Sequence, residues 1–465
     1  MKQKLTIPLF ALLCLFLFLN ATIDLDNLFN YQDQFIPNYI TKDNSAANPM
    51  DDKLATLGRV LFYDKTLSSN NTIACASCHM QEFAFSDPAT QSVGLNGGLT
   101  GRHAMRLVNT RFADEVRFFW DERAASLEAQ TTQPVQDHIE MGFSGTNGDP
   151  DINDLIEILE GLTYYEQLFT FAYGDPTITE ARLQLALAQF VRSIQSFDSR
   201  FDDGLSQVNN VNQPFPNFTP EENQGKNLFL QTPANGGAGC AGCHRPPEFD
   251  IDPITLNNGV ITVAGTAGTD LTNTRAPSLR DVVNNNGDLN GPLMHDSSFT
   301  SLLQVIDHYN AIPNDPTNTN LDPRLLGPGG QPQNLNLTVA EKNALIAFLG
   351  TLTGTNIYTD EKWSDPFEPN GTITIIGGNL GIDALPALKP TLTVSPNPVQ
   401  QLTNLNIADG AYSVTIFNLL GQQILQSNIE GSSTFDLGSF KAGLYILLVE
   451  DMDSGLTNSV KILKQ

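Results

Sequence analysis

Two short motifs constrain this chain more than any other feature. "TIACASCHMQEF" carries Cys75, Cys78 and His79, and "GAGCAGCHRPPEF" repeats the arrangement with Cys240, Cys243 and His244, in a chain with only 5 Cys and 6 His among 465 residues. The fifth cysteine, Cys14, lies in the N-terminal apolar run, so every other cysteine belongs to a CxxCH motif. Three chemistries use such spacing. A CxxC redox pair leaves the following histidine unexplained and lacks the βαβ context such pairs have. A four-cysteine zinc site has to join two clusters far apart in the sequence and leaves both histidines idle. Covalent attachment of a c-type haem uses all three residues. Thiols at i and i+3 lie on one face of a helical turn and reach two vinyl groups as thioethers, and the adjacent imidazole presents a nitrogen to the iron. Two motifs therefore imply two covalently bound c-type haems, with His79 and His244 as iron ligands.

The start of the chain says where it goes. Lys2 and Lys4, an apolar run from Leu5 to Leu19, and Ala21 with Leu19 two places before it make residues 1–21 a secretory signal peptide. The mature chain is expected to begin near Thr22 and to be exported to the periplasm, the cell surface or the medium. The run falls short of the roughly 20 apolar residues of a membrane span and no second one follows; an uncleaved anchor is the alternative. Cys14 sits inside that run without the small residues that lipid-modification cleavage wants. An oxidising compartment would ordinarily pair free cysteines as disulfides, so four cysteines confined to CxxCH motifs sharpen the haem reading.

A formal charge of −26, from 25 Lys+Arg against 51 Asp+Glu, argues against nucleic acid or an anionic membrane surface as partner. It would steer a basic redox partner, and it also serves solubility.

The body of the chain is a doubled unit. An apolar helical segment with Gly and then Leu-Phe precedes each motif, "LATLGRVLFYD" and "NQGKNLFLQ". Arg-containing loop sequence follows each, "GRHAMRLVN" and "TRAPSLRDV", and each half closes on a helix with apolar residues at three- and four-residue spacing, "ARLQLALAQFVRSI" and "AEKNALIAFLGTL". The expectation is a mainly α fold. Two cytochrome c-like haem domains related by internal duplication span 22–205 and 206–358, followed by a Gly/Pro-rich linker over 359–390 and a small β-sandwich over 391–465.

"PTLTVSPNPV", "GQQI", "AGLY" and the closing "SVKILKQ" resemble the C-terminal sorting domain of the type IX secretion system of Bacteroidetes. The resemblance implies the type IX machinery as a partner and export across the outer membrane. The alternative is a carbohydrate- or partner-binding module.

From Asp51 to Gly354 the chain resembles the bacterial dihaem cytochrome c peroxidase and MauG family. The residues that carry the resemblance are the two CxxCH motifs, "FWDERA", "EAQTTQPVQDHIEMG", "RAPSL", "HDSS" and "VIDHY". Glu122 stands where the family usually has Gly. The resemblance implies that the haem on His79 is the peroxidatic one, with an open iron position, and that the second haem passes electrons to it. It implies Glu140 as the acid–base group, with Gln130 and Pro134 lining the same pocket, and Trp120 between the haems as an electron relay. On the far side of the second iron it implies Tyr309, as in the MauG-like branch, with His308 and Met294 as rival ligands. One calcium ion is implied through the backbone carbonyls of Arg275 and Pro277. The family's Asn ligand is replaced by His103, a poor donor for a hard cation. His103 could instead cap the first iron, line its pocket or face solvent. The stretch "VGLNGGL" lacks the removable distal His of classical members, so that iron is expected to be permanently open.

The expected function is reduction of hydrogen peroxide to water with electrons from a small donor protein such as a c-type cytochrome. The alternatives are a MauG-like oxidase acting on a protein side chain and a non-catalytic electron carrier. A homodimer is a further option.

Overall fold

Helix formation follows the caps written in the sequence. In a computed structural model of the chain, which describes residues 22–114, 117–251, 255–378, 392–418, 421–452 and 457–465, nine helices are seen among the described residues. They are α1 (Asp52–Tyr63), α2 (Leu127–Thr131), α3 (Ile152–Glu160), α4 (Thr163–Tyr173), α5 (Glu180–Ser193), α6 (Arg200–Ser206), α7 (Pro220–Leu230), α8 (Leu302–Asn310) and α9 (Val339–Gly350). The Asp51 carboxylate accepts from the amides of Lys53 and Leu54 to start α1. Thr219 with Glu222, and Thr338 with Glu341, form reciprocal capping boxes that start α7 and α9. The expected signal peptide with Cys14, and residues 379–391 of the expected linker, lie outside the described residues.

The chain divides into two compact units, Met1–Ile375 and Ile376–Gln465. In the first, α1 crosses α5 and α7 crosses α9 in the same way. A Cβ on Gly58 would stand 2.0 Å from the Ala186 carbonyl oxygen and 2.9 Å from Phe190 Cβ, and one on Gly225 would stand 1.8 Å from the Ala344 carbonyl oxygen and 2.9 Å from Phe348 Cβ. The Gly before each Leu-Phe pair is therefore a contact point between helix backbones. Two apolar cores form around these crossings. One holds Leu57, Leu61, Phe62 and Phe190, and the other holds Phe201, Phe229, Phe249 and Phe348. Gly58→Ala and Gly225→Ala should each lower stability by about 1–3 kcal/mol, because the added methyl meets backbone that cannot rotate away. Thermal unfolding of the haem-loaded protein checks this, and an unchanged melting temperature would contradict the packing.

One expectation is corrected. Only 29% of the described residues are helical, so the fold is not mainly α. The periodic segments do form helices, but they are short, and Gly-, Asn- and Pro-rich loops that line cavities carry much of the first unit. Both haem motifs belong to that one unit. Trp363 is 2% exposed in the first core, and its indole donates to the Ser193 carbonyl at 3.1 Å.

The second unit is built of β-strands. Thr457–Lys464, Gly443–Asp451, Ala411–Asn418 and Gln423–Glu430 form an antiparallel sheet in that order, and Thr393–Ser395, Leu402–Asn406 and Ser433–Asp436 form another. Period-two alternation turns Tyr412, Val414 and Ile416 inward, and the register sets Leu447 beside Ile416 and Val449 beside Val414. Leu405, Phe435 and Val399 complete one shared apolar core. No helix among the described residues is long and apolar enough to cross a membrane.

Candidate active site

Each CxxCH segment folds as a single 3-10 turn, Cys75–Ser77 and Cys240–Gly242. The Cys78 amide donates to the Cys75 carbonyl at 3.2 Å, and the Cys243 amide donates to Cys240 at the same distance. None of the four cysteines is joined in a disulfide. Burial pushes Cys75 up to about 12, Cys78 to about 11 and Cys240 to about 12, which makes them poor thiolates for redox exchange or metal binding. Among the described residues no group of three or more His, Cys, Asp or Glu is placed to hold a metal ion, so the four-cysteine zinc alternative has no site.

The histidines are set up as neutral ligands. Nδ1 of His79 lies 3.1 Å from the Phe85 carbonyl. A carbonyl can only accept, so Nδ1 carries the proton and Nε2 keeps its lone pair. Nδ1 of His244 is buried and makes no hydrogen bond. Burial lowers the pKa of both rings, His244 to about 4, where the Arg106 charge lowers it further against a nearby backbone acceptor.

A cavity of about 710 Å³ lies beside Cys78 and His79, and one of about 500 Å³ lies beside Cys240, Cys243 and His244. Both are within the usual size of cofactor pockets, roughly 300–1,000 Å³. Trp120, Gln130, Pro134 and Glu140 all line the first; Met294 and Tyr309 line the second. Arg106, Trp120, Arg275 and Pro277 line both. Trp120 is fixed in this dividing wall: its indole donates to the His103 carbonyl at 2.8 Å, and its own carbonyl accepts from the Arg275 amide at 2.8 Å.

Glu140 is held by local backbone. The Asp137 carboxylate accepts from the amides of Ile139 and Glu140 at 2.8 and 3.0 Å. The loop over residues 93–99 is tied to this segment by the Leu95 amide, 2.7 Å from the Ile139 carbonyl. Burial, reinforced by the Asp137 charge and opposed by Arg123, pushes the Glu140 carboxyl up to about 7. A group at that value exchanges protons in both directions at neutral pH.

In the second cavity the amide of Asn258 lies 3.4 Å from Tyr309 Oη and 3.6 Å from Met294 Sδ. The ring of His308 is turned to the Asn258 carbonyl, 3.0 Å from Nε2, and does not line the cavity. His103 is 5% exposed, which overturns the solvent-facing option. It lines the first cavity, where its Nδ1 meets the Ala89 carbonyl at 3.1 Å and its Nε2 lies 3.4 Å from Ser86 Oγ. Glu122 keeps the left-handed backbone that suits Gly, with φ 58°, and its carboxylate accepts from Thr255 and Asn273 of the other half.

The first cavity thus gathers an ionisable carboxylate and a tryptophan wall beside a CxxCH motif. The model for di-haem cytochrome c peroxidase matches residues 52–210. The methylamine utilization protein MauG of Methylorubrum extorquens is 32% identical over 273 residues, covering 57% of this chain and 70% of that protein. The chain belongs to the di-haem cytochrome c peroxidase and MauG family. MauG of Methylophilus methylotrophus is 29% identical over 66% of this chain and 84% of its own length, and the cytochrome c551 peroxidase of Nitrosomonas europaea is 26% identical over 66% and 82%. Among solved structures, a MauG-like protein associated with microbial copper homeostasis superposes with a TM-score of 0.58, 29% identity and coverage of 72% of this chain and 99% of that one. A diheme peroxidase, BthA, from Burkholderia thailandensis shares the fold at a TM-score of 0.50 and 21% identity, covering 74% and 97%. Residues 393–465 match the secretion system C-terminal sorting domain. The chain is an exported c-type haem oxidoreductase of this family.

The residues present fit the family's two haems. Cys78 and His79 stand at the wall of the first cavity, and Cys240, Cys243 and His244 at that of the second, where the His244 ring has a buried nitrogen without a hydrogen bond. Sequence reasoning missed Arg106 and Asn258. Arg106 sits in a loop read only as Arg-rich, and no spacing rule links Asn258 to Tyr309.

Proposed function

We propose that the chain is a dihaem c-type peroxidase that reduces hydrogen peroxide in the first cavity with electrons from a small redox protein, received through the second. The observation that carries this is the convergence of Glu140, Gln130 and Pro134 on the cavity beside His79, with Glu140 held at about 7 by burial. The haem, when bound, supplies an iron that takes up peroxide and the electrons that break its O–O bond. The protein's task is protons. The Glu140 carboxylate takes the proton from the near peroxide oxygen and returns it to the far one, so that water leaves; two electrons and two protons in all turn hydrogen peroxide into two waters. Gln130 orients the peroxide by hydrogen bonding, and Pro134 fills space beside it without adding a donor. Trp120, in the wall of both cavities, is the relay between them. A closed electron carrier has no use for Glu140 and Gln130 together.

The MauG-like alternative, oxidation of a protein side chain, draws on Tyr309 facing the second cavity, where it is read as the sixth iron ligand. The matched crossings at Gly58 and Gly225 support descent by internal duplication, and the shared core of the two sheets supports a β-sandwich. A calcium ion would rest on the Arg275 and Pro277 carbonyls and waters, because both nitrogens of His103 face protein atoms.

Two measurements test the reading. Haem stain on denaturing gels should survive reduction, and acid-acetone should leave the colour with the protein, two haems per chain; extraction of the colour would remove the foundation. Cyanide and peroxide should each perturb the spectrum of the oxidised protein, whereas a closed carrier stays unchanged.

A further inference from the structure

The wall between the cavities holds a cation that the mechanism above does not use. Arg106 lines both cavities. Its Nη2 donates to the Ser278 carbonyl at 3.2 Å, while its Nε is buried and makes no hydrogen bond. A guanidinium has five N–H donors, so most of its capacity is unspent. The other arginines nearby are engaged. Arg102 pairs with Asp121 and Asp270, Arg123 pairs with Asp121, and Arg275 lies over the Phe118 ring at 4.8 Å. The buried carboxylate nearest in effect, Asp281, accepts from the Gly354 amide at 2.8 Å.

Removing a guanidinium from water without a carboxylate partner costs several kcal/mol. Each c-type haem brings two propionate carboxylates, and the planar fork of arginine suits carboxylates better than any other side chain. We propose that Arg106 is the common cation for the propionates of both haems, joining them through one guanidinium and setting their reduction potentials together. This rests on the dihaem reading. A positive charge beside a haem disfavours the ferric state, so Arg106 raises both potentials.

The test is spectroelectrochemical titration of the haem-loaded protein with Arg106→Met. Both midpoint potentials should fall, each by about 59 mV, a tenfold change in a one-electron equilibrium constant, with two covalent haems retained. Arg106→Lys keeps the charge and should move both by less than half as much. A shift at one haem only, or at neither, overturns the proposal. If the Met variant fails to hold two haems while Arg106→Lys holds both, the haems require the charge and the proposal stands; if the lysine variant fails too, Arg106 is a folding residue and the proposal falls. Haem content of the unaltered protein decides the dihaem reading separately, since fewer than two covalent haems would defeat that reading whatever the potentials do.

Discussion

Glu140→Gln should cut peroxide turnover by about 10²-fold or more while leaving both haems in place, the scale on which a positioned general acid–base group acts. The amide matches the carboxylate in size and can still hydrogen-bond to peroxide, but it cannot accept the proton. Binding should therefore change less than turnover. The pH profile is the sharper readout. Glu140 titrates at about 7 because burial and the Asp137 charge oppose ionisation more than Arg123 favours it. Proton abstraction requires the ionised form, so kcat/KM for peroxide should rise with pH through about 7 in the unaltered protein. That limb should be absent in Glu140→Gln. Asp137→Asn removes one cause of the raised value and should move the limb to lower pH; it also alters the acceptor for the Ile139 and Glu140 amides, so the direction of the limb, not the absolute rate, is the test. Unchanged turnover in Glu140→Gln would assign the proton chemistry to another group.

How much of this was legible depended on the range over which each feature is encoded. The CxxCH turns are local: thiols and ligand sit within five residues, and no distant contact is needed to see them. The α1, α5, α7 and α9 helices were equally visible, because period and caps are local too. The cavity walls were not. Glu140 stood out only through resemblance to a family, since one glutamate among many acidic residues carries no signal of its own. The burial of His103 and the shared position of Arg106 arise where loops from both halves meet, and side-chain spacing along one segment holds no trace of that. Trp363 shows the same limit from the other side: its large apolar surface finds the first core through contacts with segments far away in the sequence.

Tyr309 governs the other large effect. Tyr309 and Met294 both face the second cavity and share the Asn258 amide, whereas His308 is turned away to the Asn258 carbonyl. Burial, more than the neighbouring Cys243, pushes the Tyr309 phenol above its ordinary value, so without iron it stays neutral. With a haem bound there, Tyr309 would be held as the tyrosinate, because a bound cation favours the deprotonated oxygen acid. An anionic oxygen donor stabilises the ferric state against the ferrous one. Tyr309→Met should then raise the potential of the second haem by roughly a tenth of a volt or more, well inside the roughly 0.8 V range that axial ligands command. Proton coupling gives a second signature. If the tyrosinate takes a proton when the iron is reduced, the potential of the second haem falls by about 59 mV per pH unit near neutrality, and Tyr309→Phe abolishes that slope. Met294→Leu and His308→Ala should leave the coordination of the second haem as it was. A sulfur-to-iron charge-transfer band in the unaltered oxidised protein, or loss of the native coordination in Met294→Leu alone, would transfer the ligand to Met294 and place the chain with the classical peroxidases of its family.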